Sequence, residues 1–321
     1  MKVGVDVSPL VQTRAGTARH VNGLLGALAG RDVDVTRLAF GGIGRAATVA
    51  RDTWWYYRGL PRSARGLDLL HCTTFRGPLQ APVPFTVTLH DLGLVRHPEL
   101  FPRWHRHSGR AGIGRVARAA DRVLAVSEFT KREAVELLGV PAERVTVIGN
   151  AVDALFAPNG PAAQGDYVLA VGTLEPRKNL RRVAEAASRI GAELRVVGAG
   201  GWGGVATPGW LGEVSDEELA ALYRGARVVA FPSLYEGFGI PVLEAMASGA
   251  PVVTSGGGAT EEVAGGAAVL VDPRDVASIA AGLEEAADRR DELRTLGLER
   301  ARAYSWAAVA DAVEMVWREL T

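Results

Sequence analysis

Residues 231–249 read FPSLYEGFGIPVLEAMASG, a segment in which an apolar strand is followed by a glycine-containing loop and then by a helix. Pro241 suits the first turn of that helix, because its fixed φ and missing N–H are tolerated there. The free amides and the positive end of the helix dipole favour binding of an anion. Glu236 lies in the loop and Glu244 on the helix, so the two carboxylates can address different hydroxyls of one sugar or ribose.

A second segment, residues 171–180, reads VGTLEPRKNL and has the same strand-to-helix pattern. Arg177 and Lys178 stand just before the predicted helix, where basic residues oppose the helix dipole by about 0.3–1 kcal/mol each. An anion bound between them and the helix amides explains their position. The fork of the arginine and the point charge of the lysine suit a diphosphate, and a solvated basic turn is the alternative.

Short β-branched runs alternate with amphipathic segments along the whole chain, which predicts parallel sheets covered on both faces. The predicted strands are 2–7, 33–40, 67–72, 85–90, 122–126, 144–148, 167–171, 194–197, 228–231, 251–254 and 268–271. The predicted helices are 16–29, 98–120, 128–138, 179–190, 215–224, 240–247, 276–287 and 305–320. Ser127 is a predicted N-cap, and Ser215 with Glu218 fits a capping box.

We therefore predict an α/β protein of two doubly wound, Rossmann-like parallel-sheet domains that face a central cleft. The weakest periodicity lies at residues 157–165, which are rich in Pro, Gly and small residues and read as a linker. The expected domains are residues 1–160 and 161–304, with the C-terminal helix 305–321 packing back on the first. Ligands of such folds bind at the carboxyl ends of the strands.

The composition excludes several classes of protein. With 48% apolar and 22% charged residues, the chain of 321 residues is neither disordered nor of low complexity. A single cysteine, Cys72, excludes an internal disulfide. The first residues read as a charged strand rather than a signal peptide, and no apolar run approaches the roughly 18–20 residues that span a bilayer. We expect a cytoplasmic protein.

The net charge of zero is the sum of two opposite halves. Residues 1–160 contain 21 Lys and Arg against 13 Asp and Glu, a net charge of +8, and residues 161–321 contain 15 against 23, a net charge of −8. This switch indicates two bodies with different partners.

Together, the two segments resemble the family 4 retaining glycosyltransferases of the GT-B fold. Arg177-Lys178-Asn179 matches the Arg-Lys-Asn segment of that family, and Glu236 with Glu244 matches its pair of glutamates separated by seven residues. Weaker matches occur at residues 15–19, 88–92, 125–128 and 150–153, where Ala151 stands in place of the glycine often found in the family.

The resemblance implies a role for each matching residue. Glu244 would hold the ribose of a nucleotide-sugar donor, and Arg177, Lys178 and the amide of Gly16 would hold its diphosphate. Glu236, with the amides of Phe238 and Gly239, would hold the transferred sugar, which His90 would reach from the opposite domain. The remaining implied donor-binding residues are Thr173, Gly237, Ile240 and Val214, the last near the base.

The resemblance also implies the reaction, in which a hexose moves with retained configuration to a glycan, lipid-linked or small-molecule acceptor without an essential metal or other cofactor. GDP-mannose is favoured as donor, because residues 90–99 resemble those of mannosyltransferases; UDP-glucose and UDP-N-acetylglucosamine stay open. Whether Glu236 acts only through its charge or as a nucleophile also stays open. The alternatives are a sugar phosphorylase, a nucleotide-sugar epimerase and a non-catalytic nucleotide-sugar-binding protein. We expect no nucleic-acid partner.

Other signals are weaker. Residues 198–203 read GAGGWG and satisfy the dinucleotide-binding pattern, yet Gly204, Pro208 and Gly209 prevent a following helix, so a dehydrogenase is disfavoured. His105 and His107 lack a third metal ligand.

The aromatic cluster of residues 54–58 is typical of core packing, with sugar binding as the alternative. A basic segment is typical of a solvated helix face, with contact with an anionic membrane at its inner face as the alternative; its arginines are Arg103, Arg106, Arg110, Arg115, Arg118 and Arg122.

Overall fold

The computed structural model describes residues 1–12, 16–42, 44–102 and 112–321. It divides into two compact units, the first formed by Met1–Ala151 with Ser305–Thr321 and the second by Val152–Tyr304. Each unit contains a parallel six-stranded sheet flanked by helices. The predicted α/β class with two doubly wound domains is confirmed.

The sheet of the first unit has the strand order β2-β1-β3-β4-β5-β6. Its strands are β1 (Lys2–Asp6), β2 (Asp34–Leu38), β3 (Leu69–Cys72), β4 (Phe85–Leu89), β5 (Arg122–Ala125) and β6 (Val145–Val147). The central strands β3 and β4 are buried along their whole length, as expected of parallel strands covered on both faces. All six predicted strands of this half are present.

The helices of the first unit are α1 (Pro9–Gln12), α2 (Gly16–Leu28), α3 (Arg45–Ala50), the π-helix Arg51–Gly59, α4 (Leu60–Ser63), α5 (Gly93–Arg96), the 3-10 helix Pro98–Leu100, α6 (112–119), α7 (Glu128–Leu138), the 3-10 helix Ala142–Arg144 and α14 (Trp306–Leu320). The sequence pattern does not reveal the helical segment at residues 45–63. The predicted helix 98–120 is therefore wrong as one element, because residues 101 and 102 separate the 3-10 turn from the rest. Part of that prediction, residues 103–111, lies outside the described residues.

The sheet of the second unit has the order β12-β11-β10-β7-β8-β9. Its strands are β7 (Tyr167–Val171), β8 (Glu193–Val197), β9 (Trp210–Gly212), β10 (Val228–Phe231), β11 (Val252–Ser255) and β12 (Val269–Val271). Its helices are the 3-10 helix Pro176–Lys178, α8 (Leu180–Arg189), α9 (Asp216–Gly225), α10 (Ile240–Ala247), α11 (Ala259–Ala264), α12 (Val276–Asp288) and α13 (Arg290–Arg302). The edge strand β9 and the helices α11 and α13 are absent from the sequence predictions.

The division between the units falls at residue 151, ahead of the expected boundary at residue 160. The intervening residues are bound to the second unit by side chains of α9. Arg224 donates to the carbonyl oxygens of Pro161 at 2.6 Å and Ala157 at 3.2 Å, and the rings of Phe156 and Tyr223 lie 5.8 Å apart. These contacts explain why a segment rich in Pro and Gly belongs to a folded unit.

The C-terminal helix α14 belongs to the first unit, although the second unit precedes it along the chain. Ser305 caps this helix by accepting a hydrogen bond from the amide of Ala308 at 3.2 Å. Val313 and Trp317 are fully buried in a core that also contains Val21 and Leu24 of α2. Among the described residues, no helix is long and apolar enough to cross a membrane.

Candidate active site

Four charged side chains, of Glu175, Arg177, Lys178 and Glu236, form one partly buried cluster at the carboxyl ends of β7 and β10. Glu236 accepts hydrogen bonds from Arg177 Nη1 at 2.6 Å and from Lys178 Nζ at 2.7 Å. Arg177 Nη2 donates to Glu175 Oε1 at 2.5 Å, and Nη1 also donates to the carbonyl oxygen of Tyr235 at 2.9 Å. The two cations and two carboxylates balance in charge.

The cluster controls the ionisation of both carboxylates. Burial by itself raises the pKa of Glu236, yet Arg177 and Lys178 outweigh burial and lower that pKa to about 2. The pKa of Glu175 is raised, because burial outweighs the adjacent Arg177. Glu236 is therefore a carboxylate under all physiological conditions, held next to the two cations that the sequence assigns to a diphosphate.

The sheet order brings the two sequence segments together. Strands β7 and β10 are neighbours, so the loops that leave their carboxyl ends lie side by side. The amide of Leu234 donates to the carbonyl oxygen of Arg177 at 2.8 Å. Asn179 has the left-handed φ of 60° and donates through Nδ2 to the carbonyl oxygens of Pro232 at 3.0 Å and Pro273 at 2.6 Å. Asn179 thus fixes the turn that presents Arg177 and Lys178.

Helix α10 begins at Ile240, with Pro241 in its first turn as predicted. Gly239 precedes the helix with φ of 110°, a conformation that a residue with a side chain rarely adopts. Gly237 and Phe238 are buried in the loop, and the ring of Phe238 lies edge-on to that of Tyr304 at 5.7 Å. The loop that carries Glu236 is consequently held in place on both sides.

Glu244 lies on helix α10, and its carboxylate contacts Tyr223 of helix α9. Its side chain is 3% exposed and accepts a hydrogen bond from the hydroxyl of Tyr223 at 3.0 Å. Tyr223 belongs to α9, which starts with the predicted capping box: Ser215 Oγ accepts from the amide of Glu218 at 3.1 Å, and Glu218 accepts from the amide of Ser215 at 2.8 Å. Val214 lies just before this cap and is half-buried.

The glycine-rich residues 198–204 pack against the loop that follows β7. Gly198 has φ of 150°, and a side chain there would overlap the carbonyl of Gly172. A side chain at Gly201 would overlap the carbonyl of Leu174 and approach the methyl group of Thr173 to 2.9 Å. The next element is the strand β9 rather than a helix, so the dinucleotide-binding pattern lacks the helix it requires. These glycines allow two loops to touch through their backbones.

The first unit contains the other two predicted site residues. His90 follows β4, and its Nε2 donates to the carbonyl oxygen of Thr73 at 2.9 Å. Burial lowers the pKa of His90, which favours the neutral ring. Gly16 is the first residue of α2, and Ala15 lies outside the described residues. The structure thus brings Arg177, Lys178 and Glu236 into direct contact, whereas Glu244 is bound by Tyr223.

Some residues of this site were missed by sequence reasoning. Glu175 orients Arg177, Tyr223 binds Glu244, and the ring of Phe231 lies 4.8 Å from Lys178 Nζ in a cation–π contact. Only Glu175 had a local signal, because it adjoins the basic pair two positions earlier in the chain. Tyr223 and Phe231 are ordinary members of a helix and a strand.

The weaker sequence signals have mixed outcomes. In the aromatic cluster, Trp55 and Tyr56 are buried, whereas Trp54 and Tyr57 are 47% and 44% exposed, so core packing is correct for two of the four. Of the basic segment, Arg115 is exposed and Arg118 donates to the carbonyl of Leu138. Arg122 begins β5 and forms an ion pair with Glu319 at 3.4 Å. Arg103, Arg106, Arg110, His105 and His107 lie outside the described residues, and membrane contact stays a prediction. Within the described ranges, no group of three His, Cys, Asp or Glu is placed to hold a metal.

Comparisons with known proteins agree with this architecture. Residues 152–302 match the family described as Glycosyl transferases group 1, and residues 14–154 match the one described as Glycosyltransferase Family 4. The chain therefore belongs to the family 4 glycosyltransferases, as the sequence resemblance predicts.

Curated relatives include mannosyltransferases. O-antigen chain mannosyltransferase B of Escherichia coli is 34% identical over 68% of this chain and 66% of its own length. MMP alpha-(1->4)-mannosyltransferase of Mycolicibacterium hassiacum is 34% identical over 64% of this chain and 56% of its own. D-inositol 3-phosphate glycosyltransferase of Kineococcus radiotolerans is 31% identical over 74% of this chain and 66% of its own. The aligned part thus spans between about half and two thirds of these relatives.

Solved structures of similar fold cover the whole chain. Sucrose-phosphate synthase of Thermosynechococcus elongatus superposes with a TM-score of 0.82 at 20% identity, over 100% of this chain and 99% of its own. HepE of Anabaena, solved in complex with UDP-glucose, has a TM-score of 0.76 at 17% identity and full coverage of both chains. The fold is GT-B.

Proposed function

We propose that this chain is a retaining hexosyltransferase that uses a nucleotide-diphosphate sugar as donor. The observation that carries the proposal is the placement of Arg177 and Lys178 around one carboxylate, that of Glu236, at the carboxyl end of a parallel sheet. Two cations fixed on an anionic group form a site of the kind that a diphosphate requires. We propose that the donor diphosphate takes the place that Glu236 occupies in this structure.

In the proposed reaction, the bond between the sugar C1 and the diphosphate oxygen breaks and the acceptor hydroxyl oxygen bonds to C1 on the same face. The electron pair of the broken bond stays on the diphosphate, and the hydroxyl proton moves to a phosphate oxygen. Negative charge therefore grows next to Arg177 and Lys178, whose fixed positions stabilise it without reorganisation. This assigns to two side chains the charge neutralisation that a metal ion provides in other transferases.

Glu236 and Glu244 have distinct parts in the proposal. Once the diphosphate binds Arg177 and Lys178, the Glu236 carboxylate turns to the hydroxyls of the sugar. Glu244, oriented by Tyr223, accepts hydrogen bonds from the ribose hydroxyls. Val214, Thr173 and the loop 237–240 complete the proposed donor-binding set, and the roles of His90 and Gly16 stay predictions.

Mannose is the proposed sugar and GDP the proposed nucleotide. Two relatives are named mannosyltransferases, and these names support mannose as the transferred sugar. Because HepE was solved in complex with UDP-glucose, UDP-glucose is tested as a donor as well. The proposed acceptor classes are a glycan, a lipid-linked sugar and a small molecule, and the relative named for D-inositol 3-phosphate supports the last.

The first test is calorimetric titration of the purified chain with GDP-mannose, UDP-glucose and UDP-N-acetylglucosamine. Lys178→Ala and Glu244→Ala are expected to weaken donor binding by about tenfold or more, the loss of one charge-assisted hydrogen bond each. Arg181→Ala and Glu217→Ala are the matched controls, because both side chains are exposed on neighbouring helices. Donor binding that is unchanged in both Lys178→Ala and Glu244→Ala contradicts the proposal.

Product analysis separates the proposed reaction from its alternatives. Transfer to an acceptor with the anomeric configuration of the donor supports the hexosyltransferase. Formation of a sugar 1-phosphate after addition of inorganic phosphate identifies a phosphorylase, and a changed sugar in the donor alone identifies an epimerase. Tight donor binding without turnover over a broad acceptor panel identifies a binding protein.

A further inference from the structure

A second cluster of buried polar groups lies in the first unit, and one of its members, Thr73, also accepts a hydrogen bond from His90. Asp6, at the end of β1, is fully buried, and Arg51 and Tyr56 of the π-helix are 2% and 3% exposed. The side-chain hydroxyl of Thr73, which follows β3, donates to the carbonyl oxygen of Asp6 at 2.7 Å. The cluster thus lies at the carboxyl end of the first sheet, where ligands of parallel α/β folds bind.

Arg51 is the most unusual member. Its Nη2 donates to Thr48 Oγ1 at 3.3 Å. Its Nε and Nη1 are buried and, among the residues that the structure describes, have no hydrogen-bond partner. These two atoms carry three N–H donors of a permanently charged group, and a protein rarely buries such donors without an acceptor. The guanidinium therefore lacks an anionic or acceptor group that completes its surroundings.

Tyr56 and Asp6 have unused polar atoms in the same place. The hydroxyl of Tyr56 is buried with no hydrogen-bond partner in the described chain. Asp6 Oδ1 accepts from Ser8 Oγ at 2.6 Å, and Asp6 Oδ2 has no partner within normal hydrogen-bond distance, although the buried indole N–H of Trp55 is close enough to interact with the same carboxylate. The groups are close enough to interact: burial raises the pKa of Tyr56 and the Asp6 carboxylate adds to this rise, and burial raises the pKa of Asp6 while Arg51 partly opposes it. Electrostatic interaction thus links Tyr56, Asp6 and Arg51 within one buried cluster.

The guanidinium lies directly beneath the chain that follows β2. A Cβ atom built on Gly41 would lie 3.3 Å from Arg51 Nη1, and Gly41 itself is exposed. The ring of Phe40, one residue earlier, stacks on Trp55 of the π-helix at 5.4 Å. Gly41 has no side chain, so the exposed backbone of this residue lies next to Nη1 of the buried guanidinium.

We propose that Arg51, Tyr56 and Asp6 form a binding site for a phosphorylated sugar or polyol, and that this compound is the acceptor. The N–H groups of Arg51 and the hydroxyl of Tyr56 donate to the phosphoryl oxygens, and Asp6 Oδ2 accepts from a hydroxyl of the ligand. A phosphoryl group suits this cluster because its terminal oxygens can receive several donors at once. The role as acceptor rests on the proposed function, whereas the binding itself does not.

The test is calorimetric titration of the full-length Lys178→Ala variant, in which phosphate binding at the donor cluster is weakened, with glucose 6-phosphate, inorganic phosphate and glucose. We expect saturable binding of both phosphate compounds, tighter for glucose 6-phosphate, and none of glucose. Adding Arg51→Gln is expected to weaken this binding about tenfold or more, and adding Tyr56→Phe by a smaller factor. Arg58→Gln and Tyr57→Phe are matched controls on the same π-helix, because both residues are exposed.

Several outcomes overturn the proposal: absence of binding, equal binding of glucose and glucose 6-phosphate, or binding that Arg51→Gln leaves unchanged. If Arg51→Gln does not fold, as judged by thermal unfolding, the same titrations are made with Arg51→Lys and Tyr56→Phe. Binding that both variants leave unchanged then overturns the proposal. Tight binding of nucleotide sugars by Lys178→Ala contradicts the proposed donor site alone. Loss of nucleotide binding with retained, Arg51-dependent binding of glucose 6-phosphate supports both proposals.

Discussion

The ammonium group of Lys178 lies 2.7 Å from a carboxylate oxygen of Glu236, although 57 residues separate the two along the chain. The other oxygen of the same carboxylate binds Arg177 at 2.6 Å. Glu236 therefore bridges both cations that the sequence assigns to a diphosphate. A diphosphate that binds them must compete with this internal carboxylate.

Replacing Glu236 with glutamine removes that competitor. Under the proposed function, Glu236→Gln is expected to bind the nucleoside diphosphate several-fold more tightly, because the charges of Arg177 and Lys178 are no longer neutralised. Sugar transfer is expected to fall, since the carboxylate no longer holds the sugar. Calorimetry and a transfer assay measure the two effects, with the exposed Glu213→Gln as control. Weaker binding of the nucleoside diphosphate by Glu236→Gln would show that the carboxylate does not compete.

Glu175 is expected to act as a positioning residue, because its carboxylate binds the guanidinium of Arg177 at 2.5 Å. Glu175→Gln is expected to raise the KM for the donor about three- to tenfold with a smaller effect on kcat, since Arg177 keeps its charge but loses its orientation. Glu175→Asp is expected to restore part of the affinity. The control is Glu185→Gln, whose carboxylate is exposed and pairs with Arg189. An unchanged KM in Glu175→Gln contradicts this role.

Tyr223 is expected to contribute to both stability and donor binding. Tyr223→Phe removes the hydroxyl that donates to the buried Glu244, and is expected to lower the free energy of unfolding by about 1–3 kcal/mol. Thermal or denaturant unfolding measures this loss, with Tyr57→Phe as the exposed control. If Glu244 holds the ribose, the KM for the donor rises as well. A change in stability without any change in KM would separate Glu244 from the donor site.

The buried histidines of the first unit predict loss of stability in acid. Burial, with a contribution from His90, lowers the pKa of His71 to about 3, and burial also lowers the pKa of His20 and of His90. Unfolded histidines have pKa values near 6.5, so the unfolded chain binds more protons as the pH falls below that value. The contribution of the neutral, buried histidines to the free energy of unfolding is therefore complete above about pH 6.5 and decreases below that pH. For His71 the loss is about 2 kcal/mol at pH 5.

Unfolding followed at pH 7, 6 and 5 tests this prediction. His71→Gln is expected to reduce the loss of stability between pH 7 and pH 5, because one of the three buried rings is gone. His97→Gln changes a partly exposed histidine of the same unit and is the matched control. An equal pH dependence in His71→Gln and the unaltered chain contradicts the assignment to His71.

Local features of the chain could be predicted in detail. Helices α7 and α10 and strands β7 and β10 have the predicted bounds, because each combines a strong hydrophobic period with a clear first or last residue. The caps at Ser127 and Ser215 are also present. Such caps depend on residues only three positions apart, so sequence spacing alone is enough.

Elements without such signals were missed. The segment 45–63 is helical, although its π-helix places two aromatic rings in the core and leaves two exposed, a division that a period of 3.6 residues does not reveal. The three-residue edge strand β9 is half-exposed or exposed throughout, and it is defined by its pairing with β8 rather than by its own composition.

The sequence by itself determined the alternation of strands and helices, the family, and the residue types that suit a nucleotide sugar. Tertiary structure alone decided which of these residues meet. Because β7 and β10 are neighbours in the sheet, Arg177 and Lys178 reach Glu236, whereas Glu244 on the following helix reaches Tyr223 instead. Contacts between residues far apart in the chain depend on strand order, and strand order follows from how the whole sheet buries its apolar faces.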